Sequence, residues 1–97
     1  MKFTWSAFAL SNRHAIFTYI ELENSSEAIL VDEWIVAAVR RLIDLPASGR
    51  VGRIAGTCEL AIKGTLYVAA YAISETVVRI LRVLHGAQEW PDTLPTR

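Results

Sequence analysis

One cysteine, three prolines, five glycines and no net charge mark this 97-residue chain. The lone Cys58 cannot close an internal disulfide, and no Cys/His spacing suggests zinc ligands, so neither a metal nor a cofactor is expected. A single thiol fits a reducing compartment, and the cytoplasm is the expected location. Ten basic and ten acidic residues cancel, which excludes a global field that would draw the chain onto nucleic acid. No apolar run is long enough to span a bilayer, because Asp32 and Glu33 interrupt the most apolar helical stretch. The start, MKFTWSAFALSNRH, has only a short apolar run and no clear cleavage site, so a signal peptide is not expected.

Apolar residues, by contrast, are plentiful. They make up 53% of the chain, above the usual share of about 45–50%. A chain of this length is expected to form one domain over residues 1–97, and a small domain so rich in apolar side chains offers some of them to a partner. Charge is also uneven along the chain. Residues 1–48 carry a net −2 and residues 49–97 a net +2, so basic character is local to the second half.

Hydrophobic periodicity places the elements. Phe3–Ser6 reads as a short strand, and Ser6 can cap a helix that starts at Ala7. Ala15, Ile16, Tyr19 and Ile20 follow helical spacing. Asn24 with Glu27 resembles a capping box for a second helix, whose stripe is Ala28, Val31, Ile35, Ala38 and Leu42. Leu30, Trp34 and Ala37 widen that stripe beyond what one sheet can cover. Pro46 ends the helix by Asp44, and the glycine-bearing basic stretch 47–56 reads as a flexible connector. Three strand patterns follow, at 57–62, 66–73 and 77–84, joined by short turns at Lys63-Gly64-Thr65 and Ser74-Glu75-Thr76. Short connections favour antiparallel pairing. The fold class is therefore α+β, an N-terminal strand and a two-helix antiparallel hairpin packed on one face of a mostly antiparallel four-stranded sheet. The expected core is Ile16, Ile20, Val31, Ile35, Leu42, Leu81 and Val83.

The final strand carries two arginines, Arg79 and Arg82, inside an apolar pattern, then His85, Gly86 and an aromatic stop at Trp90-Pro91. Together with FTWSAFAL near the start and LPASGRVGRIAGTCELAIKGTLYVAAY in the middle, ILRVLHGAQEWP resembles toxins of the RelE/ParE superfamily of type II toxin-antitoxin modules. The ParE-like, plasmid-stabilisation branch is the nearest. That resemblance implies a toxin neutralised by a cognate antitoxin, ParD-like or RelB-like, which alone would bring it to operator DNA.

The branch matters because the superfamily splits by target. ParE-like members poison DNA gyrase, whereas RelE-like members cut messenger RNA on the ribosome. Cleavage needs a base, an acid and cations around the scissile phosphate. The RelE-like pattern places an arginine directly after the tyrosine of the third strand, where this chain has Val68 after Tyr67. The expectation is therefore a gyrase-binding toxin without chemistry of its own. The alternatives are a ribosome-dependent mRNA endonuclease using Arg79, Arg82 and His85, with Lys63 or Arg53 nearby, and a non-toxic antitoxin-binding relative.

Strict strand alternation puts Arg79 and His85 on one face and Arg82 on the other. The expected target surface is Arg50, Arg53, Arg79, Arg82, His85 and Trp90, and the expected antitoxin surface is Trp34, Leu30 and Ala37. Simpler roles compete at each position. His85 can shape the turn before Gly86, Arg82 can bond a carboxylate or loop carbonyls, and Trp90 can anchor the C-terminus on the sheet. Arg50 and Arg53 can be ordinary loop charges, His14 a solvated helix residue and Cys58 an inert strand residue.

Overall fold

The computed structural model describes residues 1–91 together with Thr93 and Leu94. In chain order it contains β1 (Lys2–Trp5), α1 (Ala7–Glu21), α2 (Ser25–Arg41), a 3₁₀ turn at Pro46–Ser48, β2 (Arg50–Val51), β3 (Cys58–Ala61), β4 (Tyr67–Ser74) and β5 (Val77–His85). The sheet order is β1-β5-β4-β3-β2. β1 runs parallel to β5, and every other pairing is antiparallel. The two helices pack against each other, and α1 also packs on β5. No described helix is long and apolar enough to cross a membrane.

The helix starts follow from the caps. Ser6 Oγ accepts from the Ala9 amide at 3.0 Å, and Asn24 Oδ1 accepts from the Glu27 amide at 3.0 Å. Only half of the anticipated capping box forms. The Asn24 amide already donates to Ile20 O at 2.9 Å and has no need of the Glu27 carboxylate.

Two corrections concern the sheet. It has five strands, because Arg50–Val51, inside the stretch expected to be a flexible connector, pairs with Glu59 and Cys58 of β3. What orders that stretch is polar anchoring. The Tyr71 hydroxyl donates to Pro46 O at 2.9 Å and accepts from the Gly49 amide at 3.1 Å. Gly49 sits so close that a Cβ there would meet the Tyr71 hydroxyl and lie 2.6 Å from the Glu59 carbonyl oxygen.

The second correction is a β-bulge. Ala70 pairs with Arg82 but Tyr71 pairs with Ile80, so Leu81 is an extra residue in β5. One extra residue inverts the alternation beyond it. Val78, Ile80 and Val83 therefore all join the core beneath the helices, with Ile35, Val39, Leu42 and Tyr71. Leu81 instead joins Ile54, Ala70 and Leu94 in a second cluster, flanked by Ala72 and Trp90. Of the expected core, Val31, Ile35, Leu42 and Val83 are buried under the hairpin. Leu81 is buried on the other face, and Ile16 and Ile20 only border the core.

Candidate functional site

The bulge decides which of the C-terminal side chains can act together. Before it, Arg79 alternates away from Val78 and Ile80, and its Nη1 donates to Thr4 Oγ1 at 3.0 Å. After it, His85 falls with Val83 on the helix side, its ring edge-on to Tyr67 at 5.7 Å between centroids. Arg79 and His85 thus stand on opposite faces, contrary to simple alternation. Arg82 reaches round the strand edge to α1, where its Nε donates to Asn12 Oδ1 at 2.8 Å. Asn12 Oδ1 also accepts from the Val83 amide at 3.1 Å, and Ser6 Oγ donates to Leu81 O at 2.7 Å. These two side chains replace the ladder partners that β1 stops supplying after Trp5.

Arg82 and His85 do line one cleft, of about 300 Å³ between α1 and β5, that Tyr19, Tyr67 and Gln88 also border. His85 itself shapes the turn. Its Nδ1 accepts from the Ala87 amide at 3.1 Å, while its own amide donates to Gln88 Oε1 at 2.8 Å. A ring that accepts through Nδ1 in its neutral form carries its proton on Nε2. Val68 is buried, so it presents nothing to a phosphate.

The other two arginines of the expected target surface, Arg50 and Arg53, gather around one acid. Glu59 is buried at 2% exposure and accepts from the Arg53 amide, from Arg53 Nε and Nη2, and from Arg50 Nη2, at 2.8–3.1 Å. Burial alone would raise its pKa, but the hydrogen bonds from Arg53 and Arg50, with the charge of Arg53, bring it down to about 2. The Arg53 guanidinium carbon also lies 3.8 Å from the ring centre of Trp90, whose Nε1 donates to His85 O at 3.2 Å. Trp90 is therefore an anchor. The sequence offered no partner for Arg53, because Glu59 was one alternating residue of an unremarkable strand.

On the opposite side, Trp34, Leu30 and Ala37 are exposed on α2. The Trp34 ring rests against the Gly64 turn, and a Cβ on Gly64 would lie 3.4 Å from it. A cleft of about 290 Å³ opens there among Trp34, Ala37, Arg41 and Lys63. Among the described residues, no cluster of His, Cys, Asp and Glu could hold a metal ion.

Known proteins share this architecture. Residues 3–90 match the family model described as the ParE toxin of the type II toxin-antitoxin system parDE. Y4kP of Sinorhizobium fredii, a candidate toxin, is 40% identical over 93 residues, which cover 96% of each chain. A chain of the chromosomal ParDE toxin-antitoxin system from P. aeruginosa superposes with a TM-score of 0.78 at 21% identity, over 86% of this chain and 92% of that one, and so shares the fold. On the match to residues 3–90 and the identity along 93 residues, this chain belongs to the ParE toxin family of type II toxin-antitoxin systems.

Proposed function

We propose that this toxin acts in the cytoplasm as a single folded unit, residues 1–97, that inhibits DNA gyrase by binding it and is silenced by a ParD-like antitoxin. The observation that carries binding over chemistry is the separation of Arg79 from His85 by the Leu81 bulge. With Val68 buried in place of an arginine, Arg82 is the one cation among the described residues that lines the cleft with His85, and His85 Nδ1 is already engaged by a backbone amide. One cation is a poor match for a cleavage transition state that spreads charge over a phosphate.

The target surface assigned to Arg50, Arg53, Arg79, Arg82, His85 and Trp90 narrows accordingly. Arg53 stacks on Trp90 and, with Arg50, pairs with Glu59, which leaves Arg79 and Arg82 as the cations of that group without a carboxylate among the described residues. For the antitoxin, the exposed Trp34, Leu30 and Ala37 remain the assigned contacts. Operator DNA is reached through the antitoxin alone.

The shared cleft of Arg82 and His85 favours a second reading, a ribosome-dependent endonuclease. Controlled expression separates the two. Gyrase inhibition induces the DNA damage response while ribosome-bound transcripts stay whole. Transcript cleavage abolished by His85→Ala, in a protein that still folds, overturns the gyrase reading.

A further inference from the structure

The guanidinium of Arg82 is only half used. Its Nε bond to Asn12 fixes the plane of the group, and its two Nη atoms have no carboxylate partner among the described residues. Among the described residues Arg13, Arg50 and Arg53 each pair with an acid, and Arg82 does not. Among the described residues no Asp or Glu lines its cleft, and the groups around it are polar tips on apolar bodies, the phenols of Tyr19 and Tyr67 and the His85 ring, with Ile16 and Leu84 as walls. His85 Nε2, the proton-bearing nitrogen of its neutral ring, adds a donor. A fixed fork in a cleft without acid is complementary to an oxyanion.

The surroundings select among oxyanions. Tyr19, Tyr67 and His85 also border an adjoining groove of about 350 Å³, floored by Ile20, Val31 and Leu66. Tyr19 and Leu66 are 73% and 71% exposed there, so the groove offers apolar surface to a visitor. Among the described residues Arg82 is the only Lys or Arg along either stretch, and Glu27 borders the second. A nucleic-acid strand would meet one positive and one negative charge, too little neutralisation to hold a polyanion. A peptide segment with one acid at its end and apolar side chains behind it meets a complement at each point.

We propose that the Arg82 cleft is a carboxylate-recognition site, which takes one Asp or Glu of an otherwise apolar antitoxin segment laid along the Ile20–Val31–Leu66 groove. The proposal rests on the antitoxin reading above and adds to Trp34 a second contact region, which the Gly64 turn joins to the Trp34 cleft and which sets specificity through charge.

The test uses the toxin complexed with the protein encoded by its adjoining reading frame. Arg82→Ala is expected to weaken that complex about tenfold or more, Arg82→Glu further, and Arg82→Lys less, because lysine keeps the charge and loses the fork. Changing the antitoxin's acidic residues singly to their amides should reveal one whose loss is not additive with Arg82→Ala. Melting of each variant, followed alongside, separates loss of binding from loss of fold. Affinity within twofold of wild type in a folded Arg82→Ala overturns the proposal and leaves the antitoxin reading intact. Absence of any wild-type complex ends both. Arg82-dependent binding of a short single-stranded oligonucleotide, equal to that of the antitoxin, overturns the proposal in favour of nucleic acid.

Discussion

Arg53 lies between Trp90 and Glu59, its guanidinium carbon 3.8 Å from the indole centre and its Nε 3.0 Å from a carboxylate oxygen. One side chain thus ties the C-terminal segment and the 52–57 loop to the sheet. Removing it leaves the buried Glu59 with Arg50, which is 69% exposed and correspondingly screened. Arg53→Ala is expected to cost about 1–3 kcal/mol, read from the midpoint of urea unfolding at unchanged slope. Fluorescence from Trp90 should shift to the red as its stacked partner disappears.

The same cluster predicts an acid limit. The Glu59 carboxyl titrates near 2 when folded, below its ordinary 4.5, so the folded protein holds its proton more weakly than the unfolded chain. The stabilisation is complete above pH 4.5 and is lost as pH falls through about 2. It amounts to roughly 3 kcal/mol at most, reduced by solvent around the arginines. Melting temperatures between pH 5 and pH 2 should fall steeply for the wild type and less steeply for Glu59→Gln, which starts lower. Parallel slopes would place the acid sensitivity on other carboxylates.

Asn12 is the acceptor for both the Val83 amide and Arg82 Nε. Asn12→Ala should cost about 1–2 kcal/mol in chemical denaturation, since the Val83 amide at the half-covered edge loses its Asn12 acceptor. Asn12→Asp should keep the fold, because its carboxylate accepts the same bonds, and it should compete for Arg82.

These contacts mark where the sequence was legible and where it was not. Element order and helix caps were, because Ser6, Asn24 and Pro46 act on their own neighbours. Long apolar periodicity placed Ile35 and Leu42 for the same reason. The Leu81 bulge was not legible, because nothing in VRILRVLH distinguishes an extra residue from a regular one; only its partner strand defines it. Hence Arg79 and His85 were assigned a common face that they do not share. The fifth strand is not legible locally because Arg50 is held by Glu59, 9 residues away, and Gly49 beside it by Tyr71, 22 residues away.

Trp34 stands 42% exposed, half supported by the Gly64 turn. Its removal should therefore weaken antitoxin binding by more than it lowers stability, because exposed indoles at such edges serve as interface anchors. Titration calorimetry and thermal melting on Trp34→Ala provide the comparison. Equal losses in the two measurements would make it a core residue and move the contact to Leu30 or elsewhere.

Arg79 is the sharpest test of the toxic surface. Its Nε is a buried polar atom with no partner among the described residues, and its Nη1 is held by the exposed Thr4 hydroxyl. A guanidinium so placed is half desolvated without a carboxylate to match it, a state that a target protein's acid would relieve. Such charge-assisted bonds are worth about 1.5–3 kcal/mol, so Arg79→Gln should lower target affinity roughly ten- to hundredfold and blunt growth inhibition. Antitoxin binding, carried by the opposite face, should be unchanged. Full toxicity in a folded Arg79→Gln protein would remove this face from the target surface and leave Arg82 as its remaining cationic contact.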